Sequence, residues 1–128
     1  MQPANLNNDP ILLDDGLDSI VIVNALGHVP GGATLDVSGV ASGTKVIKAG
    51  HIIKKTAAGN YAPLGVSSGS YASLGSGESY AGVLKASVLV SDPRAAIVTI
   101  GQVNAAASPY PVTDAIKSGL GRIEFLYA

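Results

Sequence analysis

The sequence predicts a mainly β fold, a small β-sandwich or barrel-like domain with one short helix at about residues 112–120, on three observations. Its apolar stretches are short, rich in Val and Ile, and stopped by Gly, Pro, Asn or Asp. Only Val112 to Leu120 repeats apolar residues at a helical spacing. And 128 residues leave room for a single core, so residues 1–18 read as an N-terminal arm and 19–128 as one β-rich domain.

The first 18 residues hold three Asn, four Asp and two Pro around the apolar island Ile11-Leu12-Leu13. Such a segment forms no core of its own; it is either a frayed terminus or an arm that orders when Ile11, Leu12 and Leu13 dock on a partner. Ser19 to Asn24 is a dense β-branched run and reads as a strand, after which Gly27, Pro30, Gly31 and Gly32 force turns. Thr34 to Val40 alternates apolar and polar residues as a half-buried strand does. Val46-Ile47 and Ile52-Ile53 flank Lys48 to His51, which predicts a hairpin or bulge there. Tyr61 to Leu64 is a short extended piece that Pro63 restricts to an edge or a strand end.

Val66 to Ser79 is dominated by Ser and Gly and reads as a long loop. Gly82 to Val90 and Ile97 to Val103 then read as two strands joined by the turn Ser91-Asp92-Pro93-Arg94, the central hairpin of the sheet. In the helical segment Thr113 or Asp114 supplies the cap, Ile116 and Leu120 share a face, and Gly119 and Gly121 end the run. Arg122 to Tyr127 alternates Ile123, Phe125 and Tyr127 against Arg122, Glu124 and Leu126, a closing strand tied into the sheet. No repeat of fixed period is visible.

Composition narrows the function. Apolar residues make up 47% of the chain and charged residues only 13%, against about 25% in ordinary soluble domains. A surface so short of charge is expected to be hidden against copies of itself or a partner. With a net charge of −1 and basic residues scattered apart from Lys54-Lys55, nothing favours a phosphate backbone, and no nucleic-acid partner is expected. No apolar run reaches membrane-spanning length, so no membrane partner is expected either. Met1 to Asn5 lacks the basic and apolar regions of a signal peptide, which predicts synthesis in a cytoplasm.

Residues for covalent chemistry are scarce, and the chain is not expected to be an enzyme. Cysteine is absent, and neither His28 nor His51 has a second ligand at zinc spacing. Asp9, Asp14, Asp15 and Asp18 lack the alternate spacing of a calcium loop, so no metal is expected. Gly65, Gly69, Gly75 and Gly77 do not join a strand to a helix as a phosphate-cradling turn must, and no cofactor is expected. Tyr61, Tyr71 and Tyr80 surround the Ser-Gly loop and are candidates for an exposed contact patch; the alternative is that their rings pack on neighbouring strands.

Several stretches carry a resemblance: Val46 to Ile53 as a turn into a strand, Gly59 to Leu64, Tyr80 to Leu84, Ala95 to Ala107, and Ile116 with Ile123-Glu124-Phe125. With these the chain resembles the capsid decoration proteins of tailed phages, including the lambdoid head decoration protein and the trimeric head-fibre proteins of short-tailed phages. The resemblance implies a homotrimer on the outer capsid surface of a virion, bound to the major capsid protein and made in the host cytoplasm. Ile11, Leu12 and Leu13 become capsid-contact candidates. Val103, Asn104, Ile123, Phe125 and Tyr127 become trimer-contact candidates, placed near the threefold axis. Ser19 to Asn24 departs from the lambdoid pattern, being a firmer strand than a mobile capsid-binding arm. The competing expectation is a carbohydrate- or receptor-binding β-sandwich module of adhesin type.

Overall fold

The computed structural model of the chain describes residues 18–40 and 43–127. Among the described residues strands far outnumber helical turns, so the fold is mainly β. One helical turn, α1 (Asp18–Val21), leads into β1 (Ile22–His28), followed by β2 (Ala33–Thr34), β3 (Val46–Ile47), β4 (Ile52–Lys55) and β5 (Tyr61–Pro63). The short β6 (Val66–Ser67) and β7 (Ser70–Tyr71) precede β8 (Ser79–Leu84), β9 (Val88–Leu89), β10 (Arg94–Ala95) and β11 (Ile97–Asn104). A 3₁₀ turn at Ala105–Ala107, the helix α2 (Asp114–Gly119) and β12 (Ile123–Leu126) complete the order.

The main sheet runs β1-β11-β8-β4-β5, with β12 lying parallel to the second half of β11. Its middle strands are covered on both faces, and the sequence shows why. On β4, Ile52 enters one core and its neighbour Ile53 the other; on β8, Val83 and Leu84 divide the same way. Successive side chains on a strand point to opposite faces, so paired apolar residues are what a doubly covered strand requires. One core gathers Ile52, Leu64, Tyr71, Val83, Val103, Ile116, Leu120 and Ile123 beneath α2 and β12. The second gathers Leu35, Ile47, Ile53, Leu84, Ala95 and Ile97 beneath the two-stranded ladders β2–β10 and β3–β9.

Several sequence expectations change in the folded chain. The run Ser19 to Asn24 is extended only from Ile22, because the α1 turn swings Val21 inward onto Gly50, where any Cβ would collide with the valine. The strand then continues through Gly27 to His28, and the turn falls at Gly31 and Gly32, both at positive φ. Thr34 to Val40 keeps its inward Leu35 but is a strand only at Ala33–Thr34. The Asp36 carboxylate accepts the Ser38 N–H at 3.0 Å, a local turn that competes with strand pairing.

Lys48 to His51 is a turn but not a hairpin, since β3 pairs with β9 while β4 pairs with β5 and β8. The expected central hairpin survives as the antiparallel contact of β8 with β11, through Leu84 opposite Ile97 and Val83 opposite Val98. Between them the chain detours through β9 and β10. The Ser-Gly loop contains a hairpin, β6–β7, whose Ser68 and Gly69 both have positive φ, as the tight turn favoured by strand twist demands. Pro63 lies on the edge strand β5, as its missing N–H requires. The helix spans Asp114–Gly119 within the expected 112–120, capped by Thr113, whose hydroxyl accepts the Ile116 N–H at 3.3 Å.

Candidate functional site

His51 stands just before β4, and its buried ring forms a triangle with Tyr71 from β7 and Tyr110 from the segment before α2. Ring centroids are 5.3 Å apart for His51–Tyr71, 5.8 Å for His51–Tyr110 and 5.4 Å for Tyr71–Tyr110, all edge-to-face. The His51 Nε2–H donates to the Leu64 carbonyl at 2.9 Å, which selects the neutral tautomer protonated there. Tyr71 in turn accepts the buried Ile52 N–H on its hydroxyl at 3.2 Å. Desolvation by burial holds the imidazole below its ordinary pKa, with the Leu64 hydrogen bond opposing the shift in part. The Tyr71 phenol is pushed up, chiefly by burial.

A cavity of about 270 Å³ opens beside this triangle, with His51 and Tyr110 in its wall and Val40, Val46, Ile47, Leu64 and Val66 supplying apolar surface. Among the described residues no Asp, Glu, Lys or Arg lines it. The arrangement is an apolar recess edged by the polar side chains of Thr44, His51 and Tyr110, and among the described residues no hydrogen bond pairs a nucleophile with a base there. Sequence reasoning missed Tyr110 entirely; its signal was weak, a lone aromatic between two prolines.

Gly65-Val66-Ser67-Ser68-Gly69 reads G-x-S-x-G, the spacing of a hydrolase elbow, which needs a strand running straight into a helix. Here Ser67 pairs with Ser70 across the exposed β6–β7 hairpin, and no helix follows. Among the described residues no three His, Asp or Glu side chains converge on a point that would hold a metal. Among them, too, no helix is long and apolar enough to cross a membrane.

The structure scatters the residues singled out from sequence. Tyr71 is a core residue and not an exposed contact, because the β6–β7 hairpin folds it inward; Tyr61 and Tyr80 are half-buried, each against a different core. Lys55 sits over the Tyr61 ring at 5.7 Å. Val103 and Ile123 are buried in the core beneath α2 and β12. Asn104 accepts the Ala106 N–H at 3.1 Å and caps the 3₁₀ turn, while Phe125 packs partly on the core. Tyr127 leaves the strand at φ 60° and is 77% exposed. Ile11, Leu12 and Leu13 lie outside the described residues.

A different apolar surface appears instead. Ile20, Val23 and Leu26 are 49%, 51% and 70% exposed along α1 and the edge strand β1. The stretches Ser19 to Leu35 and Ala95 to Thr113 contain no Asp, Glu, Lys or Arg, and they meet as β1 and β11. Charge is absent from this pair of strands, as it is from Thr56 to Gly77, which carries β5, β6 and β7. No family model matches the chain, and no curated protein or solved structure matches it either.

Proposed function

We propose that this chain is a virion structural protein, a homotrimeric decoration or head-fibre protein seated on the outer surface of a phage capsid, where it stabilises the shell or carries an exposed knob. The observation that carries the reading is the uncharged apolar edge at Ile20, Val23 and Leu26. Covering the exposed parts of three such side chains is worth roughly 2–4 kcal/mol per contact, modest against the cost of immobilising a partner. A closed ring gains one further contact without another association step, so symmetry makes useful what a single contact does not. The composition adds support: a charge-poor subunit is better suited to a fixed place in an assembly than to a free life in solution.

The test is to add the purified chain to capsids lacking it. Saturable binding at a fixed ratio to the shell protein supports decoration, whereas binding only to glycans or cell surfaces assigns it to the carbohydrate- or receptor-binding class. A monomer mass by light scattering at micromolar concentration removes the trimer.

A further inference from the structure

We infer that Gly65 to Gly77 is a hinged flap, pinned to the body of the molecule by the Tyr71 ring and lifted as a unit when His51 is protonated. The device belongs to the single chain and needs no partner. Burial along the segment is uneven: Gly65 to Ser70, Ala72, Ser73 and Gly75 to Gly77 are exposed, Leu74 is half-buried, and Tyr71 alone is buried. Its backbone bonds close within it. β6 pairs with β7, and the Ala72 N–H donates to the Gly65 carbonyl at 2.8 Å, fastening the neck. At the far end the Gly75 N–H donates to the Glu78 carboxylate at 2.7 Å, a turn that Lys54 holds through Glu78 at 2.9 Å. Between neck and turn, among the described residues, the one hydrogen bond to the body is the Ile52 N–H on the Tyr71 hydroxyl. Glycines stand at both ends, Gly65 at one and Gly75 and Gly77 at the other, where backbone rotation without a Cβ is least hindered. A segment anchored by one ring opens at a lower free energy than the core strands.

His51 is the trigger because its ring meets Tyr71 edge to face and donates to the Leu64 carbonyl beside the neck. The side chains around it are neutral: the phenols of Tyr71 and Tyr110, and Thr44 across the recess. Neither Thr56 to Gly77 nor Ala95 to Thr113, which carry those phenols, contains Asp, Glu, Lys or Arg, and neither does β8. The charges on the run that holds His51 are the cations Lys45, Lys48, Lys54 and Lys55, and on α2 Asp114 pairs with Lys117. Among these neighbours nothing anionic faces an imidazolium, and burial resists the charge more than the Leu64 carbonyl supports it. The proton is accepted once Tyr71 has moved away and water has entered. Opening therefore takes up a proton, and the open population grows as pH falls below the ordinary imidazole value of 6.5, by up to about tenfold per pH unit. Lifting Tyr71 uncovers the end of the core that holds Ile52 and Leu64.

Hydrogen exchange on the full chain, read as protection factors by NMR at pH 7.5, 6.5 and 5.5, tests the flap. The Ile52 N–H is expected to lose protection by up to about tenfold per pH unit below 6.5. The Ala72 N–H, fastened inside the flap, and the Leu84 N–H, on the His51 carbonyl at 2.9 Å, are expected to keep theirs. His51→Gln is expected to remove the pH dependence at Ile52, and Glu78→Gln to leave it in place. Constant protection at Ile52 across the three pH values overturns the proposal. So does simultaneous loss at Ile52, Ala72 and Leu84, which is unfolding of the chain and not lifting of a flap. A dependence that survives in His51→Gln, or that Glu78→Gln abolishes, overturns the trigger; the Glu78 variant decides this even where the His51 variant fails to fold.

Discussion

His51 and Tyr71 meet edge to face at 5.3 Å, and each fixes a different backbone group: the imidazole donates to the Leu64 carbonyl and the phenol accepts the Ile52 N–H. Since Leu64 N–H donates to the Ile52 carbonyl at 2.8 Å, two side chains and one ladder bond clamp β4 to the chain beyond β5. Polar groups so enclosed must stay paired, so losing either side-chain partner leaves a buried backbone group without its hydrogen bond.

Acid should loosen it. The His51 pKa is below the ordinary imidazole value of 6.5 in the folded chain, so the unfolded chain takes up the proton first as pH falls. The stability linked to His51 is fully present above pH 6.5 and drains away below it, toward the depressed folded value. The thermal midpoint is expected to drop between pH 7.5 and 5, and His51→Gln should flatten that slope. The carboxylates of Asp36, Glu78 and Asp92 act in a separate window. Their pKa values are lowered by Ser38, Lys54 and Arg94 respectively, so their contribution is lost only below the usual carboxylate range. A midpoint constant from pH 7.5 to 5 would contradict the assignment.

Tyr71→Phe keeps the ring triangle and removes the acceptor for the Ile52 N–H. An orphaned buried donor costs about 1–3 kcal/mol. Urea unfolding should show a lower midpoint with an unchanged slope, the sign of lost stability without altered compactness.

Gly82 on β8 lies so close to β11 that a Cβ there would strike the Val98 carbonyl and the Ile97 side chain. Gly82→Ala is expected to destabilise by about 1–3 kcal/mol through overpacking. Gly121, with open space around its Cβ position, is the control: Gly121→Ala should stay within about 0.5 kcal/mol of wild type. Calorimetry on both variants separates a crowded site from a general intolerance of alanine.

Thr113→Ala should cost about 1 kcal/mol, because the Ile116 N–H loses its cap and Ile116 is the residue by which α2 enters the core. Thr113→Ser, which restores a hydroxyl, should recover most of the loss in the same denaturation experiment.

Elements set by neighbours in the chain were legible from residue order. The Thr113 cap, the Pro63 edge and the turn after Pro30 all follow from backbone geometry or a bond spanning a few residues. Doubly apolar strands such as β4 and β8 were also visible as strands. Less legible was the candidate site, since His51 looked like a strand start, Tyr71 like a loop tip and Tyr110 like nothing in particular. Their meeting depends on contacts 20 to 59 positions apart, which no local pattern encodes. The exposed β1 stripe was hidden for the opposite reason: a β-branched run looks alike in a covered strand and at an open edge.

Residue order by itself determined the β class, the short helix α2 and the poverty of charge, because propensity, turn chemistry and composition act over short distances or over none. Only the tertiary structure decided which strands are neighbours, sending Lys48–His51 between two ladders and setting β12 parallel to β11. It also decided which apolar side chains the molecule keeps for itself and which it leaves outside. Val103 and Ile123 were consumed by the core while Leu26 remained in solvent, because burial is a property of three-dimensional neighbours and a strand at the rim has them on one side only.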